Sequence, residues 1–151
     1  MISNTFKNNE LITGISILAV LRYVFQMEAA KCMLIEPFLS YDKILQLMCR
    51  SNSSIKSVED FMITESITFS NFNERYREKF MLSVNSIVLF KKLGLLSIEY
   101  KMIVFNGYDF DFNEPTLGKR ASKRIQASEK LAQILSKGEV GDLYLSLRIK
   151  I

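Results

Sequence analysis

Residues 11–25, LITGISILAVLRYVF, are the stretch on which the fold depends. Apolar side chains lie on nearly every side of the helix that this stretch predicts, and such a helix belongs inside a core or an interface. The run is shorter than the roughly 20 apolar residues that span a bilayer, and it contains Arg22. We therefore expect no membrane span but a buried helix, capped at Asn8 or Asn9 and extending to about residue 30.

The pattern that follows predicts a mainly α chain with one small β-hairpin. Ser57 and Asp60 approximate a capping box, and the preceding residues 50–55 read as a loop. A charged helix then leads to a second helix at 83–93, which Gly94 should end. Two β-rich runs and a tight turn complete the segment. Helix, turn, helix and hairpin is the order of a winged helix. We thus predict a mainly α, α+β fold in one domain. Residues 1–68 form an N-terminal helical part, residues 69–105 form a winged-helix-like core, and residues 106–151 form a C-terminal part with a loop and basic helices.

Composition excludes several classes of site. The chain has 151 residues, 48% of them hydrophobic, so it can bury a core, and it has no histidine. The common Ser-His-Asp and Cys-His systems and Cys/His zinc sites are therefore excluded. We expect Cys32 and Cys49 to be reduced, as in a cytoplasmic protein. No phosphate-cradling glycine motif occurs. The sequence thus predicts no catalytic, cofactor-binding or metal-binding residues, and no enzyme.

Positive charge is concentrated at the C-terminal end of the chain. Residues 119–151 hold eight Lys/Arg and three Asp/Glu. A helix predicted at 119–137 has an apolar stripe on one side and lysines on the other. This pattern fits contact with DNA phosphates, without base specificity, as well as an ordinary solvated face. The candidate nucleic-acid-binding residues are Lys119, Arg120, Lys123, Arg124 and Lys130.

An acidic loop precedes this helix. Asp109, Asp111 and Glu114 could hold a hard cation, as in a small nuclease, but three carboxylates leave the site short of ligands. The other interpretation is a solvated loop that Tyr108, Phe110 and Phe112 attach to the core.

The helix at 83–93 is too apolar to lie in a DNA groove, because a groove-reading helix needs polar side chains that reach base edges. We expect it to be buried by the domain or by a partner. An exposed apolar surface rimmed by charge is typical of such an interface. The candidate partner-interface residues are Leu18, Leu21, Phe25, Leu89, Phe90, Leu93 and Tyr144.

The order of these segments resembles a known family. NNELITGISILAVLRYVF is followed by MLIEPFLSYDKILQLM, then by SVNSIVLFKKLGLL with its hairpin, a basic helix and the ending GDLYLSLRIKI. Across most of its length, the chain resembles the small middle subunit of three-component ABC-ATPase systems, the Lamassu-type defence operons of bacteria. The signal is the order of weak motifs together with the length.

The resemblance implies a non-catalytic accessory subunit in anti-phage or anti-plasmid defence. Its expected partners are a dimeric SMC-like ABC ATPase, an effector subunit such as a nuclease, and double-stranded DNA reached through the complex. The alternative from the residues alone is a free-standing winged-helix transcriptional regulator, which would bind an operator as a homodimer without an ATPase.

Overall fold

A computed structural model of the chain describes residues 2–50 and 56–150. Most of these residues are helical, and three short strands form one antiparallel sheet, which confirms the mainly α, α+β class. The helices are α1 (Ile2–Val24), α2 (Ala29–Cys32), α3 (Ile35–Leu39), α4 (Asp42–Cys49), α5 (Val58–Thr64), α6 (Phe72–Lys92), α7 (Gly118–Ser136) and α8 (Val140–Ser146), and a 3-10 turn spans Pro115–Leu117. The strands are β1 (Gln26–Glu28), β2 (Leu96–Glu99) and β3 (Met102–Phe105). The loop predicted at 50–55 lies, beyond residue 50, outside the described residues.

Helix α1 is the centre of the molecule. Residues 13–21 are all buried, and the helix packs against α6 and α7. The prediction of a buried helix is therefore confirmed, although α1 begins at Ile2 rather than at Asn8 or Asn9. Within the described residues, no helix has the length and apolar character needed to cross a membrane.

Phe25 ends α1 earlier than predicted. Its φ of 70° lies in the left-handed region, which bulky residues rarely adopt. Its N–H still donates to Leu21 O at 2.7 Å, and the chain then leaves as β1. Strand β1 pairs with β3, with Met27 opposite Ile103, so the sheet order is β1–β3–β2. The β2–β3 hairpin agrees with the prediction, whereas β1 was missed.

Helix α6 corrects the prediction of a helix–turn–helix unit. Phe72–Lys92 is one continuous helix of 21 residues, with no turn before Ser83. The charged first half and the apolar second half thus belong to one helix, on which Ser83 and Ser86 are fully buried. Gly94, at φ 76°, ends the helix as predicted, and Leu95 N donates back to Phe90 O. The mainly α class holds, but the winged-helix-like core is not confirmed.

Gly14 allows α1 and α6 to pack closely. A Cβ at Gly14 would overlap the ring of Phe90, whose side chain is fully buried. We expect Gly14→Ala to lower the free energy of unfolding by about 1–3 kcal/mol, because the added methyl overpacks a filled core. Denaturant unfolding followed by circular dichroism measures the change. Gly141→Ala in α8 is the matched control, since no atom beyond the neighbouring residues and backbone of its own helix lies within 4 Å of its Cβ position. Equal stability of the two variants would contradict close α1–α6 packing.

Candidate nucleic-acid interface

A buried ion pair joins three helices below the candidate site. Arg124 of α7 donates from both terminal nitrogens to the carboxylate of Glu36 in α3, and the Nη2–Oε2 distance is 3.0 Å. Thr13 of α1 donates to Glu36 Oε1 at 2.6 Å, and Arg124 also contacts Ser16 Oγ at 3.3 Å. A carboxylate and a guanidinium removed from water are stabilised only when they are paired and hydrogen-bonded in this way.

This ion pair overturns the predicted DNA contact of Arg124. Arg124 is only 5% exposed, and its guanidinium is engaged by Glu36. It is therefore unavailable to phosphate groups. The sequence showed an arginine beside the apolar stripe of a helix, but its partner is 88 positions away in the chain.

The remaining cations border an open groove between α4 and α7. Its volume is about 550 Å³, which falls in the range of ordinary ligand sites, about 300–1,000 Å³. The predicted stripe of α7 is buried, so the opposite side of the helix faces the groove and solvent. Besides Arg124, four cationic residues and one carboxylate, that of Asp42, line the groove. We call this surface the basic groove; its four cations are Arg50, Lys119, Arg120 and Lys123.

These cations are not neutralised locally. All four residues are exposed, and their side chains form no ion pair or hydrogen bond with the residues that the structure describes. Asp42 at the first turn of α4 is the single acidic lining residue. The basic groove therefore presents a net positive charge to solvent, and such a surface attracts phosphate-rich ligands.

Sequence reasoning missed two cations of this region. Arg50 follows α4 and reaches the groove because α4 packs on α7. Lys79 of α6 lies beside Arg120 and Arg124 in a smaller adjoining pocket. Neither residue belongs to the basic C-terminal run, so only the packing of helices distant in sequence reveals them.

Lys130 lies outside the basic groove. It is half-buried two turns further along α7, in a separate depression that Glu129 and Arg50 also line. Its predicted phosphate contact is therefore not part of the groove.

Two hydrogen bonds at Cys49 link α4 to α7, the two walls of the groove. The Cys49 thiol donates to Lys123 O, and Gln126 Nε2 donates to Cys49 O, each at 3.3 Å. Burial raises the pKa of the Cys49 thiol, although the charge of Lys123 opposes the shift. Burial also raises the pKa of Cys32, to about 12. Both thiols are free. Cys49 is thus protonated at neutral pH and acts here as a structural hydrogen-bond donor.

Four of the predicted partner-interface residues lie in the chain's own core. Leu18, Leu21 and Phe90 are almost fully buried, so no partner can reach them in this fold. Tyr144 is also buried. Its hydroxyl donates to Ala30 O at 2.7 Å and lies 3.0 Å from the hydroxyl of Tyr76. Burial, with a smaller contribution from Tyr76, raises the pKa of Tyr144. The prediction of an interface is corrected at these four positions.

The other predicted interface residues lie near one end of the sheet. Phe25 is 52% exposed and Leu93 is 56% exposed, while Leu89 is half-buried. Phe25 O accepts a hydrogen bond from Phe105 N. Asn106, the residue after Phe105, donates from Nδ2 to the carbonyl of Gly94, the residue after Leu93. Two more exposed aromatic residues are close by: Tyr23 precedes Phe25 by two positions, and Tyr108 packs edge-on against Phe105 with 5.2 Å between ring centroids. We call this the sheet-end surface: Tyr23, Phe25, Leu93 and Tyr108.

The acidic loop is held by local contacts. Asp111 Oδ1 accepts from Asn113 N, and Glu114 Oε1 accepts from Thr116 N, so each carboxylate caps its own turn. No group of three metal-ligating side chains occurs among the described residues. Phe110 and Phe112 pack against the core, as predicted, whereas Tyr108 is largely exposed.

Comparison of the chain with protein-family models, curated proteins and solved structures gives no match.

The ion pair generates a stability prediction. Arg124→Met leaves the Glu36 carboxylate buried without a counter-charge, so the free energy of unfolding should fall by about 3–5 kcal/mol. The double variant Glu36→Met/Arg124→Met should recover much of this loss, because it removes both charges and keeps apolar volume. Urea unfolding of the two variants and of Glu36→Met completes a double-mutant cycle. Additive losses in the cycle would show that the two side chains are not coupled.

Proposed function

We propose that this chain is a non-catalytic accessory subunit that contacts the DNA backbone and binds an SMC-like ABC ATPase in a bacterial defence complex. The basic groove is the observation that carries the DNA part of the proposal. The partner part rests on the resemblance in segment order and on the sheet-end surface. The expected setting is the cytoplasm, where the complex would couple DNA sensing to a separate effector such as a nuclease.

The arrangement of cations supports contact with phosphates rather than with bases. Lys119, Arg120 and Lys123 lie within about one turn of α7, and residues three or four apart on a helix have neighbouring side chains. Arg50 adds charge from the opposite wall. Lysine and arginine that reach phosphate oxygens supply affinity that is independent of sequence. The groove thus suits a subunit that holds DNA while a partner supplies ATP hydrolysis.

The sheet-end surface supports binding of a protein partner. Aromatic residues are enriched at protein interfaces, where a few of them carry most of the binding energy. Phe25 is both half-exposed and held at a φ of 70°, and strained residues of this kind cluster at functional sites. The surface therefore offers the ATPase an apolar anchor at the end of α1.

Neutralising the basic groove tests the DNA contact. Lys119→Gln/Arg120→Gln/Lys123→Gln should weaken binding of the assembled complex to duplex DNA. The slope of log affinity against log salt should fall by about 0.9 for each DNA phosphate that the variant no longer neutralises. Fluorescence anisotropy over a series of salt concentrations measures both quantities.

A matched variant separates the groove from overall charge. Lys91→Gln/Lys92→Gln/Lys137→Gln removes three exposed lysines that do not line the groove, and it changes the net charge equally. We expect this control to retain most of the affinity and the slope. Equal losses of affinity in the two variants would show that DNA binding follows net charge, and would contradict a specific contact at the basic groove.

Co-purification from the native operon tests the partner. A tag on this chain should recover a coiled-coil ATPase in fixed ratio, and Phe25→Asn/Leu93→Ser should release it. Asparagine suits position 25 because it tolerates left-handed backbone. Ile63→Ser/Ile67→Ser is the control, since these isoleucines are 82% and 88% exposed elsewhere on the chain. Recovery of the tagged chain alone, as a dimer that binds one operator, would instead favour the transcriptional regulator.

A further inference from the structure

A small polar pocket adjoins the basic groove, and it is lined by charged side chains from three helices. Its volume is about 170 Å³, smaller than the roughly 300–1,000 Å³ of drug-sized ligand sites. Only a compact group fits such a space. The wall between the pocket and the basic groove is shared, because Ser40, Arg120 and Arg124 line both cavities.

The charges around the small pocket leave an unbalanced pair of cations. Glu36 and Arg124 line the pocket but neutralise each other, and Glu36 also accepts a hydrogen bond from Thr13. Lys79 of α6 and Arg120 of α7 remain. Their side chains have no ion-pair or hydrogen-bond partner within the described part of the chain. The pocket therefore carries two uncompensated positive charges.

Hydrogen-bonding groups complete the lining. Arg124, Glu36 and Thr13 are each more than nine-tenths buried, so the floor of the pocket is rigid and polar. The Ser40 hydroxyl on the shared wall is buried without a hydrogen-bond partner. A buried hydroxyl without a partner costs free energy unless a ligand or a water satisfies it. The Ser40 oxygen has less than 1 Å² of accessible surface, so it does not open into the pocket, and the ligand is defined by the two uncompensated cations and by the size of the cavity.

We propose that the small pocket binds a phosphate monoester through Lys79 and Arg120. A monoester carries a charge between about −1.5 and −2 at neutral pH and presents three acceptor oxygens, which matches the two uncompensated cations of the pocket. A phosphodiester has a single charge and is linked on both sides, so it fits the larger basic groove better than the small pocket. The monoester can come from the terminus of a strand that lies in the basic groove or from a free mononucleotide.

Paired probes distinguish these sources on the full chain. One duplex is compared with a 5′-phosphate and with a 5′-hydroxyl, and AMP is compared with adenosine, by calorimetry and anisotropy. We expect the phosphorylated member of at least one pair to bind about tenfold more tightly, because hydrogen bonds to charged groups are the strong ones. Preference in the duplex pair alone assigns the strand terminus. Preference in the AMP pair identifies the free nucleotide as a ligand. No preference in either pair overturns the proposal.

Two single substitutions separate this pocket from the proposed DNA contact. Lys79 lines only the small pocket and Lys123 lines only the basic groove. Lys79→Gln should abolish the preference for the phosphorylated probe and leave binding of closed circular DNA unchanged. Lys123→Gln should weaken binding of circular DNA and keep the preference. A preference that survives Lys79→Gln would overturn the inference even if the groove binds DNA, and loss of circular-DNA binding in both variants would assign Lys79 to the groove instead.

Discussion

The buried ion pair between Glu36 and Arg124 is the constraint on which the rest of the structure depends. Glu36 comes from α3, Arg124 comes from α7, and Thr13 and Ser16 of α1 complete the hydrogen bonds around them. Once the guanidinium of Arg124 is directed inward, helical geometry fixes the direction of its neighbours on α7. With Arg124 buried, Lys119 and Lys123 of the same helix face solvent at the basic groove, so an interior contact contributes to the chemistry of the surface.

This pair specifies the packing more than it stabilises the chain. Removing two charges from water costs several kcal/mol for each ion, and the attraction between them repays that cost only with good geometry. Here the bidentate contact and the hydroxyls of α1 supply that geometry. A shift of α7 by one residue would bury Lys123 or Ile125 against Glu36 and leave the carboxylate without its fork-shaped partner. The ion pair therefore selects one rotation of α7 against α1 and α3, and through it one shape of groove.

Features encoded by local chemistry could be predicted from the sequence, and features encoded by distant contacts could not. Helix α7 was placed within one residue at each end, and Gly94 and the β2–β3 hairpin were found, because stripes, glycine stops and alternation are local signals. The early end of α1 was missed because Phe25 takes a conformation that usually belongs to glycine. The continuity of α6 was missed because its charged half and its apolar half look like separate helices. Arg50 joins the basic groove, and Lys79 joins the adjoining small pocket, only through packing of helices that are distant in sequence.

Helix α1 connects the two candidate surfaces. Thr13 and Ser16 support the ion pair below the basic groove, and Phe25 at the end of the same helix forms part of the sheet-end surface. Phe25 lies twelve positions after Thr13, which corresponds to about 18 Å along a helix axis. Residues 13–21 are buried without a break, and close-packed interiors transmit displacement rather than absorb it. Glu36 orients Arg124, and hydroxyl groups of α1 hold both side chains in place, so the helix that ends at the sheet-end surface also supports the helix that carries most of the groove cations.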